Sequence, residues 1–268
     1  MKIDEYNNKD VLDIFSDDVQ KNIELMSKDR DFLGLSNIWN RIGIQYKYAH
    51  NFSWLGITII QVPQDIYVMQ ELIWKVKPYL IIETGIAHGG SLIMSASMLA
   101  ILEKCFGIVG QVIGIDIEIR QHNRIAIEKH PLSNLITMIE GSSISNNVIE
   151  KVRDIAEDYI NKNKKIMVFI DSNHTHDHVL SELVAYGPLV SIGSYIVVWD
   201  SGIEELPEYM NGNTGGDISK KWGKGNNPKT AVHEYLESND GKCFEIDKMI
   251  EHKLVITSVS DGFLRRIS

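Results

Sequence analysis

The chain has 268 residues, 44% of them hydrophobic and 24% charged, with a formal net charge of −9. That size buries a full core and suits one large α/β domain or one and a half. The acidic balance excludes nucleic acid as the main partner, because phosphate backbones call for a basic face, and Cys105 and Cys243 offer neither metal-ligand spacing nor a disulfide framework, so a reducing cytoplasm is expected.

Met1-Lys2-Ile3-Asp4-Glu5 lacks the basic-then-apolar layout of a signal peptide, and no apolar run reaches the ~20 residues that cross a bilayer, so no membrane partner is expected. Tyr6 to Lys28 spaces Val11, Leu12, Ile14, Phe15, Val19, Ile23 and Leu25 as an amphipathic helix. Asp29 to Ile60 is rich in Trp, Tyr and Asn and reads as irregular chain; its aromatic residues are a candidate surface for a second subunit in a homo-oligomer. Residues 1–61 thus form an N-terminal cap, and 62–268 the α/β domain. Pro63 to Lys77 reads as a helix with proline in its first turn.

An alternation follows: strand Tyr79–Ile82, helix Ser91–Phe106, strand Gln111–Ile117, helix Gln121–Lys129, strand Leu135–Ile139, helix Ser145–Asn161, strand Ile166–Ile170, helix Thr175–Leu189, strand Ser194–Trp199. Strands alternating with helices imply a parallel, doubly wound sheet with right-handed crossovers. Ser201 to Asn227 is a long polar, glycine-rich loop, and loops of that length commonly carry function. Helix Pro228–Glu237 precedes strands at Cys243–Ile246 and Lys253–Thr257, with Phe263–Ile267 as a third piece. These additions suit a seven-stranded sheet better than a dinucleotide-binding one.

The richest segment is Ile81-Ile82-Glu83-Thr84-Gly85-Ile86-Ala87-His88-Gly89-Gly90-Ser91, where an apolar run ends in a carboxylate and turns through glycines into a helix. Open α/β sheets build nucleotide-shaped pockets this way, at the carboxyl ends of their strands. The turn is neither a dinucleotide G-x-G-x-x-G nor a phosphate loop. Its form is closer to the first motif of S-adenosylmethionine (SAM) methyltransferases; an ordinary tight strand–helix turn is the alternative. Asp116, at the tip of the second strand, is placed to accept hydrogen bonds from ribose hydroxyls or to cap a helix. Ser142 and Ser143, after the third strand, suit an adenine edge or the cap of the next helix.

The fourth strand delivers Asp171-Ser172-Asn173-His174-Thr175-His176-Asp177-His178 to the sheet edge. The alternate histidines lack the i, i+4 spacing of a helical zinc pair. His174 is a candidate general base, since a near-neutral imidazole suits removal of a hydroxyl proton. His176 is a second catalytic candidate; His176 and His178 otherwise sit on the first turn of a helix. Asp200 ends the fifth strand and converges with Asp171, a pair suited to Mg²⁺, with capping as the alternative. Lys221, Trp222 and Lys224 make the long loop a candidate substrate lid, and Trp199 and Tyr209 either pack on a sugar or belong to the core.

Together, Glu83-Thr84-Gly85-Ile86-Ala87-His88-Gly89-Gly90-Ser91, Gly114-Ile115-Asp116-Ile117, Glu140-Gly141-Ser142-Ser143, Asp171-Ser172-Asn173-His174-Thr175-His176, Asn227-Pro228-Lys229-Thr230-Ala231-Val232 and Ser260-Asp261-Gly262-Phe263-Leu264 resemble the cephalosporin hydroxylase family, in order, from Val62 to the C-terminus. Despite its name that family has the Rossmann-like class I methyltransferase fold and includes antibiotic-tailoring and sugar O-methyltransferases, some Mg²⁺-dependent. The resemblance implies SAM against Glu83, Gly85 and Gly89, with Asp116 on the ribose; His88, Ser91, Ser142, Ser143 and Asp171 are further candidate cofactor contacts. It implies a cation at Asp171 and Asp200 and a base at His174. Trp199 stands where family members often carry glutamate, which removes one potential ligand.

The expected activity is SAM-dependent O-methylation of a small-molecule acceptor, a sugar or nucleotide-linked sugar. Two rivals are an oxygen-dependent hydroxylase using His174, His176 and Asp171, and a non-catalytic SAM- or nucleotide-binding partner protein.

Overall fold

The structure, a computed structural model, describes residues 11–210, 212 and 222–268. The first helix, α1, spans Val11–Met26, and the expected start of that helix lies outside the described residues. The stretch read as irregular is ordered differently. Asp29 caps a second helix, α2 (Arg30–Gln45), by accepting from the N–H groups of Asp31 and Phe32 at 3.0 Å each. A hairpin of β1 (Phe52–Trp54) and β2 (Ile57–Ile59) follows. Its turn residues Leu55 and Gly56 both have positive φ, 46° and 89°. That pattern is normally written Asn-Gly, so leucine hid the hairpin from sequence reading. The hairpin packs on the body through Phe52 and Ile59, and Trp54 Nε1 donates to Ser97 Oγ at 3.0 Å.

The α/β alternation forms as expected. In chain order it is α3 (Pro63–Val76), β3 (Leu80–Thr84), α4 (Gly90–Phe106), β4 (Gln111–Asp116), α5 (Gln121–Glu128), β5 (Ile136–Glu140), α6 (Asn146–Asn161), β6 (Ile166–Ile170), α7 (His176–Tyr186) and β7 (Tyr195–Val198). The chain closes with α8 (Pro228–Glu237), β8 (Phe244–Ile246), α9 (Lys248–Leu254) and β9 (Phe263–Arg266). The strand expected at Lys253–Thr257 is a correction: Ile250 and Leu254, four residues apart, put one apolar stripe of α9 on the core.

The seven strands lie in the order β5-β4-β3-β6-β7-β9-β8. The first five are parallel, and β9 is antiparallel to both neighbours. Strand order reverses between β3 and β6, which opens a crevice at their carboxyl ends. Alternation along β3 sends Ile81 to one side of the sheet and Leu80 and Ile82 to the other, so two apolar layers sandwich the sheet.

The glycine turn begins directly after the last β3–β6 pair, Thr84 and Ile170. Gly85 has φ of 89°, and a Cβ there would lie 1.9 Å from the Asp171 carbonyl oxygen. The residue is needed for strand-to-strand approach as well as for its backbone angle. Gly89 likewise has φ of 91° and abuts Ile127 of α5. Gly85→Ala is expected to destabilise the protein by at least ~2 kcal/mol, a fall in Tm of roughly 4–8 °C in a thermal melt, because it combines an unfavourable φ with a backbone clash.

Candidate active site

Parallel register brings the strand tips to one level. Thr84 pairs with both Ile115 and Ile170, and Ile170 pairs with Val198. The next residues, Gly85, Asp116, Asp171 and the Trp199-Asp200 corner, therefore rim one crevice. Above the β3–β6 switch point it opens into a cavity of about 880 Å³. One wall is the glycine turn, including Gly85, His88 and Ser91. A second carries Asp171, His174 and Asp200. The facing wall comes from the N-terminal region, with Trp39, Arg41, Tyr48 and His50, and from Trp222.

His174 sits between the two carboxylates. Its Nε2 lies 3.6 Å from Asp171 Oδ1, and its Nδ1 lies 3.4 Å from Asp200 Oδ2. Gln61 Nε2 donates to the other Asp171 oxygen at 3.1 Å, and the Asp171 N–H donates to the Thr84 carbonyl at 2.9 Å. Burial pushes the Asp171 carboxyl up to about 7; the hydrogen bond from His174 opposes this and the Asp200 charge adds to it. Asp200 has φ of 55°, in the left-handed region. Its turn is pinned from below: Gly202 N–H donates to the Ser258 carbonyl at 2.9 Å, and Ser258 N and Oγ donate to the buried Asp65 carboxyl at 2.8 and 3.0 Å.

One ligand atom each from Asp171, His174 and Asp200 lies within 4.8 Å of the others. Two hard carboxylates crowded at this distance fit a divalent cation, which would relieve their repulsion. Trp199 is 4% exposed and packs in the core, outside the cavity lining. With tryptophan in that place, the carboxylates open to a cation here are Asp171 and Asp200, and His174 stands beside them.

The sequence model described as Rhamnosyl O-methyltransferase/CmcI matches residues 46–267. The chain belongs to the rhamnosyl O-methyltransferase/CmcI family. This is the family whose motifs the sequence resembles. A rhamnosyl O-methyltransferase of Mycobacterium leprae is 28% identical over 214 residues, covering 80% of this chain and 82% of that protein. One of Mycobacterium bovis BCG is 27% identical over 224 residues, covering 82% of each. Among solved structures, apo CmcI superposes with a TM-score of 0.51 at 19% identity, over 82% of this chain and 77% of that one. CmcI with Mg and SAM gives 0.50 at 18%, over 82% and 78%. At these identities the likeness is one of fold.

Family motifs far from the crevice acquire a structural reason. Asn227 caps α8 with a reciprocal capping box. Lys229 Nζ donates to Glu205 Oε1 at 2.6 Å and to Ser260 Oγ at 2.9 Å, and lies 3.3 Å from Asp261. Glu204 Oε2 accepts from the Gly225 N–H at 2.8 Å and from the Asn227 side chain. The turn after β7, which carries Asp200, is thus clamped by the start of α8 and by Ser260-Asp261.

Several sequence-predicted residues stand elsewhere than expected. Asp116 Oδ2 accepts from the N–H groups of Ile86 and Ala87 at 2.8 and 3.2 Å, so it braces the glycine turn and does not cap α5. Ser142 and Ser143 do not line the cavity: the Ser142 carbonyl accepts from Ser145 Oγ at 2.7 Å, and Ser143 Oγ lies 3.1 Å from His178 Nε2. His176 also lies outside the lining. Its Nδ1 is 2.8 Å from Thr230 Oγ1 and its Nε2 3.1 Å from Glu234, because α7 starts there and turns the ring toward α8. A two-histidine, one-carboxylate iron site with His174 and Asp171 is therefore not assembled. Tyr209 is exposed and Lys221 lies outside the described residues. Sequence reading missed Gln61, Trp39, Tyr48, His50 and Ser258; only the aromatic richness of the N-terminal region hinted at them.

Glu83 is 2% exposed and accepts from Ser91 Oγ, with its second oxygen unpartnered. Burial pushes its carboxyl up to about 8 from an ordinary 4.5. The folded state therefore holds a proton that the unfolded chain releases, and stability falls as pH rises between those values. Glu83→Gln removes that dependence. In parallel melts of the ligand-free proteins, the Tm of the variant relative to wild type is expected to climb steadily from about pH 5 to pH 8. A constant difference across that range would contradict the assignment.

Proposed function

We propose that this chain is a SAM-dependent O-methyltransferase that acts on a hydroxyl of a small polar acceptor, a sugar or nucleotide-linked sugar, as in surface polysaccharide or natural-product biosynthesis. The observation that carries the reading is the convergence of Asp171, His174 and Asp200 on the cavity that the glycine turn also lines. The relatives' rhamnosyl O-methyltransferase names support it, and so does the fold shared with CmcI.

The backbone from Gly85 to His88, with Ser91, would hold SAM, and Asp116 would reach the ribose by sharing oxygens that now brace the turn. Asp171 and Asp200 would hold Mg²⁺, with His174 beside them. Bound SAM supplies an electrophilic methyl group and Mg²⁺ supplies charge stabilisation for the acceptor oxygen. The chain's own residues do the rest. Trp39, Tyr48 and His50 wall the acceptor side. His174 removes the acceptor hydroxyl proton on Nδ1, which faces the more open carboxylate, Asp200, while Nε2–H is oriented by Asp171. Gln61 holds Asp171 in place for that task. Trp222, with its ring centroid 6.3 Å from that of His174, flanks the imidazole on one side. Alignment of the reacting groups supplies up to ~7–11 kcal/mol in well-oriented cases.

His174→Ala is expected to lower turnover at least ~100-fold with SAM affinity unchanged by calorimetry. Near-normal turnover in that variant would remove His174 from the mechanism. Because Asp171 must be ionised to hold a cation, Mg²⁺ affinity is expected to fall about tenfold per pH unit below about 7. Asp200→Asn is expected to weaken Mg²⁺ binding by ~10-fold or more at every pH, read by the same titration.

A further inference from the structure

Within the glycine turn one residue with a Cβ adopts the left-handed region: Ala87, with φ of 45°. A side-chain-bearing residue keeps that conformation only where its surroundings over-determine it. Both sides of Ala87 are held by side chains from other elements. Its N–H donates to Asp116 Oδ2, at the tip of β4, at 3.2 Å, and its carbonyl accepts from Asn123 Nδ2 at 2.7 Å. Asn123 is buried in the first turn of α5, which is seated on the glycine turn by Ile127 against Gly89. Asn123 itself does not line the cavity, whereas Ala87 and His88 do.

The other end of the Asn123 amide meets His88: Oδ1 lies 3.3 Å from His88 Nδ1. Because the amide NH₂ is committed to the Ala87 carbonyl, it is the oxygen that faces the ring. A carbonyl oxygen can only accept, so the proton of this contact sits on Nδ1. In the neutral imidazole Nε2 is then a bare acceptor. It points away from α5 and has no hydrogen-bond partner among the described residues. A bare acceptor on a cavity wall calls for a donor from the ligand. Burial lowers the His50 imidazole, Lys47 and His88 add to that, and Asp200 opposes it. His88 thus stands toward the part of the cavity that holds Lys47, His50 and Asp200, where the amino-acid end of SAM would lie. That end is a zwitterion, with an ammonium donor for Nε2 and a carboxylate for Lys47, which lines the same cavity.

We propose that Asn123 is a positioning residue that fixes His88 with its proton on Nδ1, so that Nε2 accepts from the α-ammonium group of SAM. This role rests on the proposed function, since it needs SAM on the glycine turn. Asn123 then acts on the cofactor through His88, and only on the part of the cofactor that carries the ammonium. A brace of the turn alone would matter equally for every ligand seated there. The ribose, served by Asp116, would not feel the loss of His88.

Calorimetric titration with S-adenosylhomocysteine and with 5′-methylthioadenosine, the same nucleoside without the amino-acid end, separates these cases. Wild type is expected to bind both. His88→Ala and Asn123→Ala are each expected to weaken S-adenosylhomocysteine about tenfold or more and to leave 5′-methylthioadenosine within about twofold. The double variant is expected to match His88→Ala within about twofold, because the two residues act as one unit. Should Asn123→Ala fail to fold, nitrogen NMR of histidine-labelled wild type, with His88→Ala to assign the signal, reads the tautomer directly. His88 is expected to carry its proton on Nδ1, and its Nε2 resonance to shift when S-adenosylhomocysteine binds. A loss shared by both ligands, a loss on neither, or a proton on Nε2 in the free protein overturns the proposal. Wild type that binds neither ligand overturns the SAM site itself, an outcome seen before any substitution is made.

Discussion

The site depends on one backbone contact, the approach of Gly85 to the carbonyl of Asp171. These residues follow directly from Thr84 and Ile170, which pair in adjacent parallel strands. The turn on one side and the carboxylate–imidazole group on the other are thus spaced by main-chain hydrogen bonds, which side-chain motion does not change. A site whose two halves are fixed to neighbouring strands is preorganised for reaction between two bound molecules. The rest of the fold keeps that spacing: two apolar layers hold the sheet, and the antiparallel β9 closes it beside β7.

Around this contact the fold buries carboxyl groups. Desolvation pushes Glu83, Asp171 and Asp65 up to about 8, 7 and 6. None of the three adds to stability near neutral pH as an apolar residue would. Their positions explain their presence: Glu83 is bonded by Ser91 in the turn, Asp171 faces His174, and Asp65 holds Ser258 under the Asp200 turn. On the far side Glu204 and Glu205 tie that turn to α8 and to Ser260. Asp200 is thereby held in a left-handed conformation by contacts reaching from α3 to the C-terminal segment.

The α/β alternation was legible because fully buried parallel strands read as short apolar runs, and each run here ends at a polar tip residue. Asp171, His174 and Asp200 could be singled out for the same reason. What the sequence concealed are features set by tertiary partners. A leucine–glycine turn hid the hairpin, and aromatic content masked the Asp29 cap of α2. Period four in Ile250 and Leu254 decided for helix where a β-branched run suggested strand. Gln61 carries no local signal; it matters only because a hairpin more than 100 residues upstream delivers it to Asp171. His176 shares a motif with His174, yet the start of α7 between them sends the two rings to different neighbours.

The most direct measurement is a crystal structure of the chain with S-adenosylhomocysteine and Mg²⁺. The account requires the nucleoside along Gly85 to Ser91 with its ribose at Asp116, and the cation between Asp171 and Asp200 with His174 alongside. A cofactor bound elsewhere, or a cation absent from those two carboxylates at saturating concentration, would contradict it.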